Sequence, residues 1–550
     1  MNNIDFALAI WYNGCRRDFM KKETIFRILI TLIITSILYY FILPPLNIQS
    51  MFFWIFLLII AFIYYITGIL EITNIQQVIV RRFSKKKRIS NYIILGLLGI
   101  FFLILLINMF YSPFFQANKY QQRITVFENG NFTEDVSLVD FNAIPLLDKE
   151  SSQKLGDRVM GQMPELVSQF TVSSLYTQIK YQSEIIRVTP LEYASVFKFF
   201  ANQKEGVKGY ITVNSVTGES KLIKLENGMK YMPSALFSKN LYRHLRFQYP
   251  TEIFGQESFE IDNEGNPYWI IPTLSYHAVG RLEDVDGVVI VDPITGDCKK
   301  YDVEDVPTWV DHVYSANLII EQVNDWGRYK NGYLNSIFGQ KDVVATTSGY
   351  NYTVMNDDVY LYTGITSAAS DEANLGFILT NMRTKETVFY SVPGAEEYSA
   401  MASAEGQVQQ MNYKATFPLL INLNNKPTYL ISLKDNAGLV KMYAFVDVVD
   451  YQKVSVTDVS QGIEQAALNY LGESMIYDDA SLVTKTIQIQ KIELAMIDGN
   501  TYYYIVSEDG NRYRASIKVN MYDLPFLKVG DDIEVTYQEN AEIREIIKLK

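Results

Sequence analysis

A chain of 550 residues that is 48% hydrophobic and 20% charged is neither a disordered segment nor a small disulfide scaffold, and its length allows several domains. The charge is divided: residues 1–115 hold 11 of the 49 basic and 4 of the 61 acidic residues, leaving 38 basic against 57 acidic in the rest. An acidic body argues against nucleic acid as the main partner, because neutralising phosphates needs a basic patch. Two cysteines, Cys15 and Cys298, exclude a disulfide framework and a cysteine-rich zinc site.

From the N-terminus, three apolar stretches predict three transmembrane helices: "ILITLIITSILYYFIL" (28–43), "MFFWIFLLIIAFIYYITGIL" (51–70) and "NYIILGLLGIFFLILLINMFYSPFF" (91–115). The second and third carry no charge and are long enough for a ~30 Å hydrocarbon core. The first borrows Ile25 to Arg27, with Arg27 reaching back to the interface. Basic residues stand before the first stretch and in "RRFSKKKR" (Arg81, Arg82, Lys85, Lys86, Lys87, Arg88), whereas "PPLNIQS" (44–50) has none. The positive-inside rule then puts the N-terminus and a 71–90 loop in the cytoplasm and residues 116–550 outside, in a multi-pass plasma-membrane protein. The six basic residues read as topology determinants, with contact to anionic lipid as a sharper alternative. No span carries a central ionisable residue, which favours an anchor over a transport pathway. The richness in Lys, Asn, Ile and Tyr resembles proteins of AT-rich Gram-positive bacteria.

Residues 116–147 read as a connector. Beyond it, "GYITVNSVTGESK" (209–221) and "GVVIVDPITGDCK" (287–299) are nearly one phrase written twice. Alternating apolar residues, then Asn or Asp, then Thr-Gly predict strand, tight turn, strand, with Gly218 and Gly296 supplying the freedom of the turn. A third copy, "GFILTNMRTKETV" (376–388), has Lys385 where the glycine stood, and a negative-φ turn is expected there. A fourth, "GLVKMYAFVDVV" (438–449), keeps the strand and lacks the turn residues. Before the second and fourth copies stand hairpin-like segments, "FEIDNEGNPYWIIP" (259–272) and "LLINLNNKPTYLIS" (419–432). Helical segments are predicted at 148–170, 232–248, 306–326 and 457–472, with Asp148 and Thr457 or Asp458 as N-caps. The unit is helix, hairpin, strand, turn, strand: an α+β layer with one face of each sheet buried, repeated across 148–475.

This unit resembles the PepSY-type module, with "VIVDPITGDCKKYDV" (289–303) as the best match. The resemblance implies extracytoplasmic binding or inhibition and supplies no catalytic residue. Residues 483–550 have short alternating runs broken by Asp498-Gly499 and Asp509-Gly510. They predict a small closed β-barrel resembling an OB or SH3-like fold, here a protein-contact module.

Chemistry is sparse. The three histidines are His244, His277 and His312, and Asp311-His312 is expected within a helix without a nucleophile elbow. Ser151-x-x-Lys154 lacks the companion motifs of penicillin-binding enzymes. Asp357-Asp358, Asp478-Asp479, Asp531-Asp532 and "DNEGN" (262–266) lack the spacing of a calcium loop. Neither a metal nor a cofactor is expected. The 39 tyrosines, dense in 348–367 and 501–506, suit cross-strand packing or a binding groove. The expected function is a non-enzymatic, membrane-anchored binding or scaffold protein of the cell envelope that recognises another envelope protein; the alternative is an envelope hydrolase of wall polymer or peptide.

Overall fold

The computed structural model describes residues 25–70, 80–161, 164–182, 184–355, 357–367, 370–471, 482–497, 500–538 and 543–549. Three helices come first: α1 (Ile25–Ile42), α2 (Met51–Leu70) and α3 (Val80–Phe110). Two stretches among the described residues, Ile25–Ile42 and Tyr92–Phe110, are long and apolar enough to cross a membrane, where three were expected. The apolar run described within α2 is Met51–Thr67. The basic run 81–88 stands in the first turns of α3, not in a loop. Arg27 turns inward instead of reaching back: its Nη2 donates to Tyr64 O at 2.8 Å, and its guanidinium lies 4.4 Å from the Tyr64 ring.

A short helix, α4 (Pro113–Gln121), leads into the β-rich body. The body is built from four copies of one unit. Unit 1 is α5 (Lys149–Gly161) followed by strands Phe170–Val172, Thr177–Tyr181, Glu184–Tyr193, Val207–Asn214 and Ser220–Met229, with α6 (Val196–Asn202) inserted between its long strands. Unit 2 is α7 (Leu241–Gln248) and strands Ile253–Phe254, Ser258–Ile261, Pro267–Ala278, Arg281–Val291 and Cys298–Asp302. Unit 3 is α8 (Ala316–Tyr329) and strands Val344–Thr346, Asn351–Met355, Asp358–Ser367, Ser370–Asn381 and Thr387–Tyr390. Unit 4 is α9 (Glu397–Gln407) and strands Lys414–Ala415, Leu419–Leu423, Lys426–Lys434, Val440–Asp447 and Val454–Asp458. In every unit the two short strands share one edge, both antiparallel to the first long strand, and the remaining strands follow as a meander.

Sequence and structure differ on burial. The inner sheets are covered on both faces, not one. Trp269 and Ile271 point into the core shared with unit 1, while Ile270 between them points into the core shared with α8 and unit 3. Leu361 and Ile378 face unit 2, and their neighbours Tyr362 and Phe377 face unit 4. Tyr429 and Ile431 face unit 3, while Leu430 and Phe445 pack on α10 (Ile463–Leu471), which caps the stack through Ala466 and Ala467. Burial on both faces explains continuous apolar runs such as Val288–Val291, which a half-solvated strand would not need. The outer strands Ser220–Met229 and Cys298–Asp302 carry Lys221, Lys224, Lys299 and Lys300, charges that discourage edge-to-edge pairing.

The helical expectations shorten. Residues 306–315 precede α8 as irregular chain, so Asp311-His312 lies outside a helix; Ser315, not an upstream residue, caps α8 by accepting from Leu318 N–H. Asp148 accepts from Ser151 N–H at the start of α5, as an N-cap does. Asp458 caps the 3₁₀ turn Val459–Gln461 ahead of α10.

The connector is built into the body. Strand Val126–Gly130 pairs in parallel with Thr387–Tyr390 of unit 3, Val139 N–H donates to Asn422 O of unit 4, and Leu147 N–H donates to Ser215 O of unit 1. Unit 4 meets the connector and unit 1: Ser432 Oγ donates to Leu146 O (2.9 Å), and Lys434 Nζ lies 2.8 Å from both Asp148 and Glu150. The four units therefore close on themselves. Unit 2 holds the N-terminal helices. Arg246, buried, donates to Leu43 O past the end of α1 and to Tyr249 O, Pro250 O and Glu252 O. The hairpin tip at Val279-Gly280 meets Asn108 Nδ2 and Gln49 O.

A closed barrel ends the chain, with strands Leu482–Ile497, Asn500–Ser507, Arg512–Ser516, Asp532–Gln538 and Ile543–Leu549. The first strand pairs with the second and the fourth, and the third pairs in parallel with the fifth. Tyr502 Oη donates to Gln465 Oε1, tying the barrel to α10.

Candidate functional site

The repeated phrase is one turn built four times. Asn214, Asp292, Asn381 and Asp447 each accept, through Oδ1, the N–H groups two and three residues on. Thr217, Thr295 and Thr384 then accept the N–H two residues further, and Asp450 does so in the fourth copy. Such Asx and Ser/Thr bonds substitute for backbone pairing where the chain reverses. Gly218 (φ 75°) and Gly296 (φ 87°) are left-handed, as expected. Lys385 is left-handed too (φ 66°), against the expected negative-φ turn. Its Nζ bonds Asp284 (2.7 and 2.8 Å) and Arg123 O, which hold a lysine in a glycine's place. The fourth copy keeps the turn with one residue more: Asp447 N–H donates to Lys453 O, six residues on, where the others reach five. The leading glycines Gly209, Gly287 and Gly376 have a reason as well. A Cβ there would run into the carbonyl oxygen of Ile223, Tyr301 or Tyr390 on the next strand.

Most chemical candidates are spent on these joints. His244 Nε2 donates to Gly296 O at 2.7 Å, and its ring lies 4.4 Å from that of Tyr231 beneath the turn. Cys298 sits at the same turn, and burial, with Asp297 beside it, pushes its thiol up to about 11. Ser151 Oγ and Lys154 Nζ donate to Gly438 O and Ala437 O of unit 4, so they join units instead of activating one another. His277 is exposed on the hairpin that meets the N-terminal helices. Asp262 of "DNEGN" caps its own turn, accepting from Glu264 N–H, Asn266 N–H and the Asn266 amide. Asp358 binds Arg383 and Asp357 faces Lys180; Asp478-Asp479 lies outside the described residues. Among the described residues no three His, Cys, Asp or Glu side chains are placed to share a metal.

One open site is made where units 1, 2 and 3 converge. It is a cleft of about 180 Å³ lined by Lys149, Gln178, Glu257, His312, Tyr350 and Tyr352 among others. Asp311-His312, in the irregular chain before α8, is pulled toward unit 1: Lys180 N–H donates to Asp311 Oδ2, and His312 Nε2 donates to Gln178 O at 2.7 Å. Glu260, fully buried on the edge strand of unit 2, accepts from Asp311 N–H, His312 N–H and Ser258 Oγ. Burial first, then the Glu260 carboxylate, holds the Asp311 carboxyl well above the usual carboxylate range. Buried Arg187 donates to Gln178 Oε1, Ser152 Oγ and Leu147 O. The remaining amide group, Gln178 Nε2, is buried with no protein acceptor. The His312 and Tyr350 rings flank Tyr352, each 5.5 Å from it. Both serines of the cleft are engaged, Ser258 with Glu260 and Ser315 as the cap of α8. The cleft thus presents aromatic surface, with Lys149 and Glu257 among its lining residues.

The sequence pointed to the tyrosine-rich stretch 348–367, and two of its residues, Tyr350 and Tyr352, reach the cleft, whereas Tyr362 is core. Gln178, Lys149 and Glu257 carried no signal; only the fold brings them together. Gly218 and Gly296 lie elsewhere, in structural turns, and the side chains of 81–88 lie outside the described residues.

No family model matches the chain, and no curated protein matches it. Weak likenesses to solved structures exist. An ACO/RPE65 chimera has 10% identity over 51% of this chain and 47% of its own, with TM-score 0.13. Cobalt-substituted Synechocystis ACO has 7% identity over 67% and 59%, with TM-score 0.13. The polysaccharide lyase Uly1 has 8% identity over 61% and 86%, with TM-score 0.15. The chain spans about half the length of the first of these.

Proposed function

We propose that this chain is a non-enzymatic scaffold of the cell envelope, anchored by α1–α3, whose closed set of four α+β units presents the three-unit cleft to another envelope protein. A three-pass anchor is supported by contacts of unit 2 with Leu43 at the end of α1, Gln49 before α2 and Asn108 near the end of α3. These are the ends that three antiparallel spans bring to one side. The basic residues before α1 and at 81–88 belong to the other ends, so the N-terminus is cytoplasmic and the body outside. The helix-plus-meander unit, with an Asx–Thr–Gly turn before its last strand in units 1 and 2, favours a PepSY-like module, for which binding is the expected role. The 1-2-3-5-4 barrel with its parallel 3–5 pair is of OB type and serves here as a packing module on α10.

The observation that carries the reading is the cleft itself. It is side-chain sized, it joins three units, and it holds a buried amide donor lacking a protein acceptor. The Tyr350, Tyr352 and His312 rings beside Lys149 and Glu257 suit a polar side chain or chain end of a partner. A photo-crosslinking residue at position 350 in intact cells is expected to yield a discrete protein adduct that one at Val449 does not, and Lys149→Glu should weaken it. No adduct from 350, or the same adducts from 350 and 449, would sink the proposal. The hydrolase alternative predicts instead that His312→Gln abolishes the cellular phenotype while leaving the adduct intact.

A further inference from the structure

We propose that two exposed aromatic feet of the β-rich body, one on α6 and one on the turn Leu334–Gly339, insert into the membrane leaflet at which α1 and α3 emerge. The inference rests on the membrane-anchor reading above. The two feet come from different units and are reached from different spans.

The first foot grows out of α1. Phe247 packs its ring 6.1 Å from Tyr39 and 6.4 Å from Tyr40. Arg243 lies over the Tyr40 ring, donates to Tyr40 O, and donates with its other end to Phe237 O. Phe237 contacts Phe200 of α6, with centroids 6.1 Å apart. Phe199 points into the core, whereas Phe197 is 83% exposed. The segment "VFKFF" (196–200) is thus linked to the end of α1 through Phe200, Phe237 and Arg243. Its place in the unit agrees: α6 joins the two long strands of unit 1, as the Val279-Gly280 tip joins those of unit 2, and that tip is held by α3 and the 44–50 loop.

The second foot grows out of α3. Phe110 packs on Phe115, Phe115 on Phe114, and Phe114 on Tyr333 at 5.4 Å. The next turn holds Leu334, Ile337 and Phe338, and Phe338 is 81% exposed. Single exposed apolar residues need no explanation, but two aromatic clusters continuous with two spans do. Aromatic rings at the ends of spans belong at the headgroup level, where one side is apolar and the other wet. Apolar side chains over a short amphipathic surface bury themselves at the acyl boundary. The occupant of both feet is therefore lipid, and two separated contacts fix the tilt of the body, and of its cleft, against the membrane.

The test uses the full-length chain in lipid nanodiscs, with Cys15 and Cys298 replaced by serine and one environment-sensitive fluorophore on a single introduced cysteine. Sites are Phe197→Cys, Phe338→Cys, Val449→Cys as an exposed apolar site with no aromatic path to a span, and Leu98→Cys within α3. Labels at 197 and 338 should emit blue-shifted light and be quenched several-fold more by lipids bearing a shallow nitroxide than the label at 449. The label at 98 should respond to a deep nitroxide. Water-like emission at 197 and 338 with no lipid quenching, while 98 is quenched, overturns the inference and leaves the anchor standing. Failure at 98 overturns the anchor reading, and this inference with it.

Discussion

Lys385 of unit 3 reaches Asp284 of unit 2 with its ammonium 2.7 and 2.8 Å from the two carboxylate oxygens, while its own backbone sits at φ 66°. The ion pair thus offsets a conformation in which an L side chain costs roughly 1–2 kcal/mol. Lys385→Ala keeps the strain and loses the pair, so it should destabilise by about 1 kcal/mol, the upper end for a surface pair, since this one is only 17% and 34% exposed. Lys385→Gly loses the pair and relieves the strain, so it should lie near the wild type. Thermal unfolding of the detergent-solubilised chain reads the order, and equal losses for Ala and Gly would refute it.

The two glycine turns share a backbone but not a neighbourhood. At Gly296 an added Cβ collides with the Tyr231 ring, which itself packs tilted against His244; at Gly218 the nearest atom is Leu147 Cδ1 at 3.5 Å, an ordinary contact. Gly218→Ala should cost about 1 kcal/mol of backbone strain. Gly296→Ala should cost a further 1–3 kcal/mol for forcing Tyr231 aside, roughly the penalty of an overpacked site. Equal unfolding midpoints for the two variants would show that the Tyr231 contact is not felt.

What was legible was local. Asn or Asp, then Thr, then Gly encodes a hydrogen-bonded turn within five residues, so the turns of units 1 and 2 can be read from "NSVTG" and "DPITG". Lys385 misleads because its compensation comes from Asp284, a hundred residues away, and Asp447 because one inserted residue hides the same bonds. The double-sided burial of Trp269 to Ile271 is hidden by period-two logic, which assigns one face to water. The cleft is illegible for the same reason as the Asp284 pair: Gln178, His312 and Tyr352 meet only when units 1, 2 and 3 close around one another.

The joint between units 4 and 1 should make acid stability depend on Asp148. Burial acts to raise its carboxyl, but bonds from Lys434 and Ser151 outweigh that and hold it below the usual range. A depressed folded value stabilises above the unfolded pKa of about 4 and is lost as pH falls through the folded one. Lys434→Met should cost about 1–2 kcal/mol at neutral pH, since Lys434 is buried but Asp148 is a third exposed. It should also flatten the acid limb of the stability profile. An unchanged acid limb would mean the pair does not couple to folding.

Asp311 should behave in the opposite sense. Its carboxyl is held well above the usual range by burial, with the Glu260 carboxylate adding to it. A raised folded value means that the fold prefers the proton more than the unfolded chain does. Stability from this group is therefore full below the unfolded pKa of about 4 and declines as pH rises toward the folded value. Asp311→Asn supplies a neutral group of nearly the same shape that still accepts from Lys180 N–H. The variant should match the wild type near pH 4 and become progressively more stable than it toward pH 8, by about 1.4 kcal/mol for every tenfold by which folding tightens the proton's hold on the carboxyl. Paired unfolding midpoints at four or five pH values decide it. A constant gap between the two proteins across that range would show that Asp311 titrates alike in the folded and unfolded chains, and that the carboxylates behind the cleft are not coupled to its assembly.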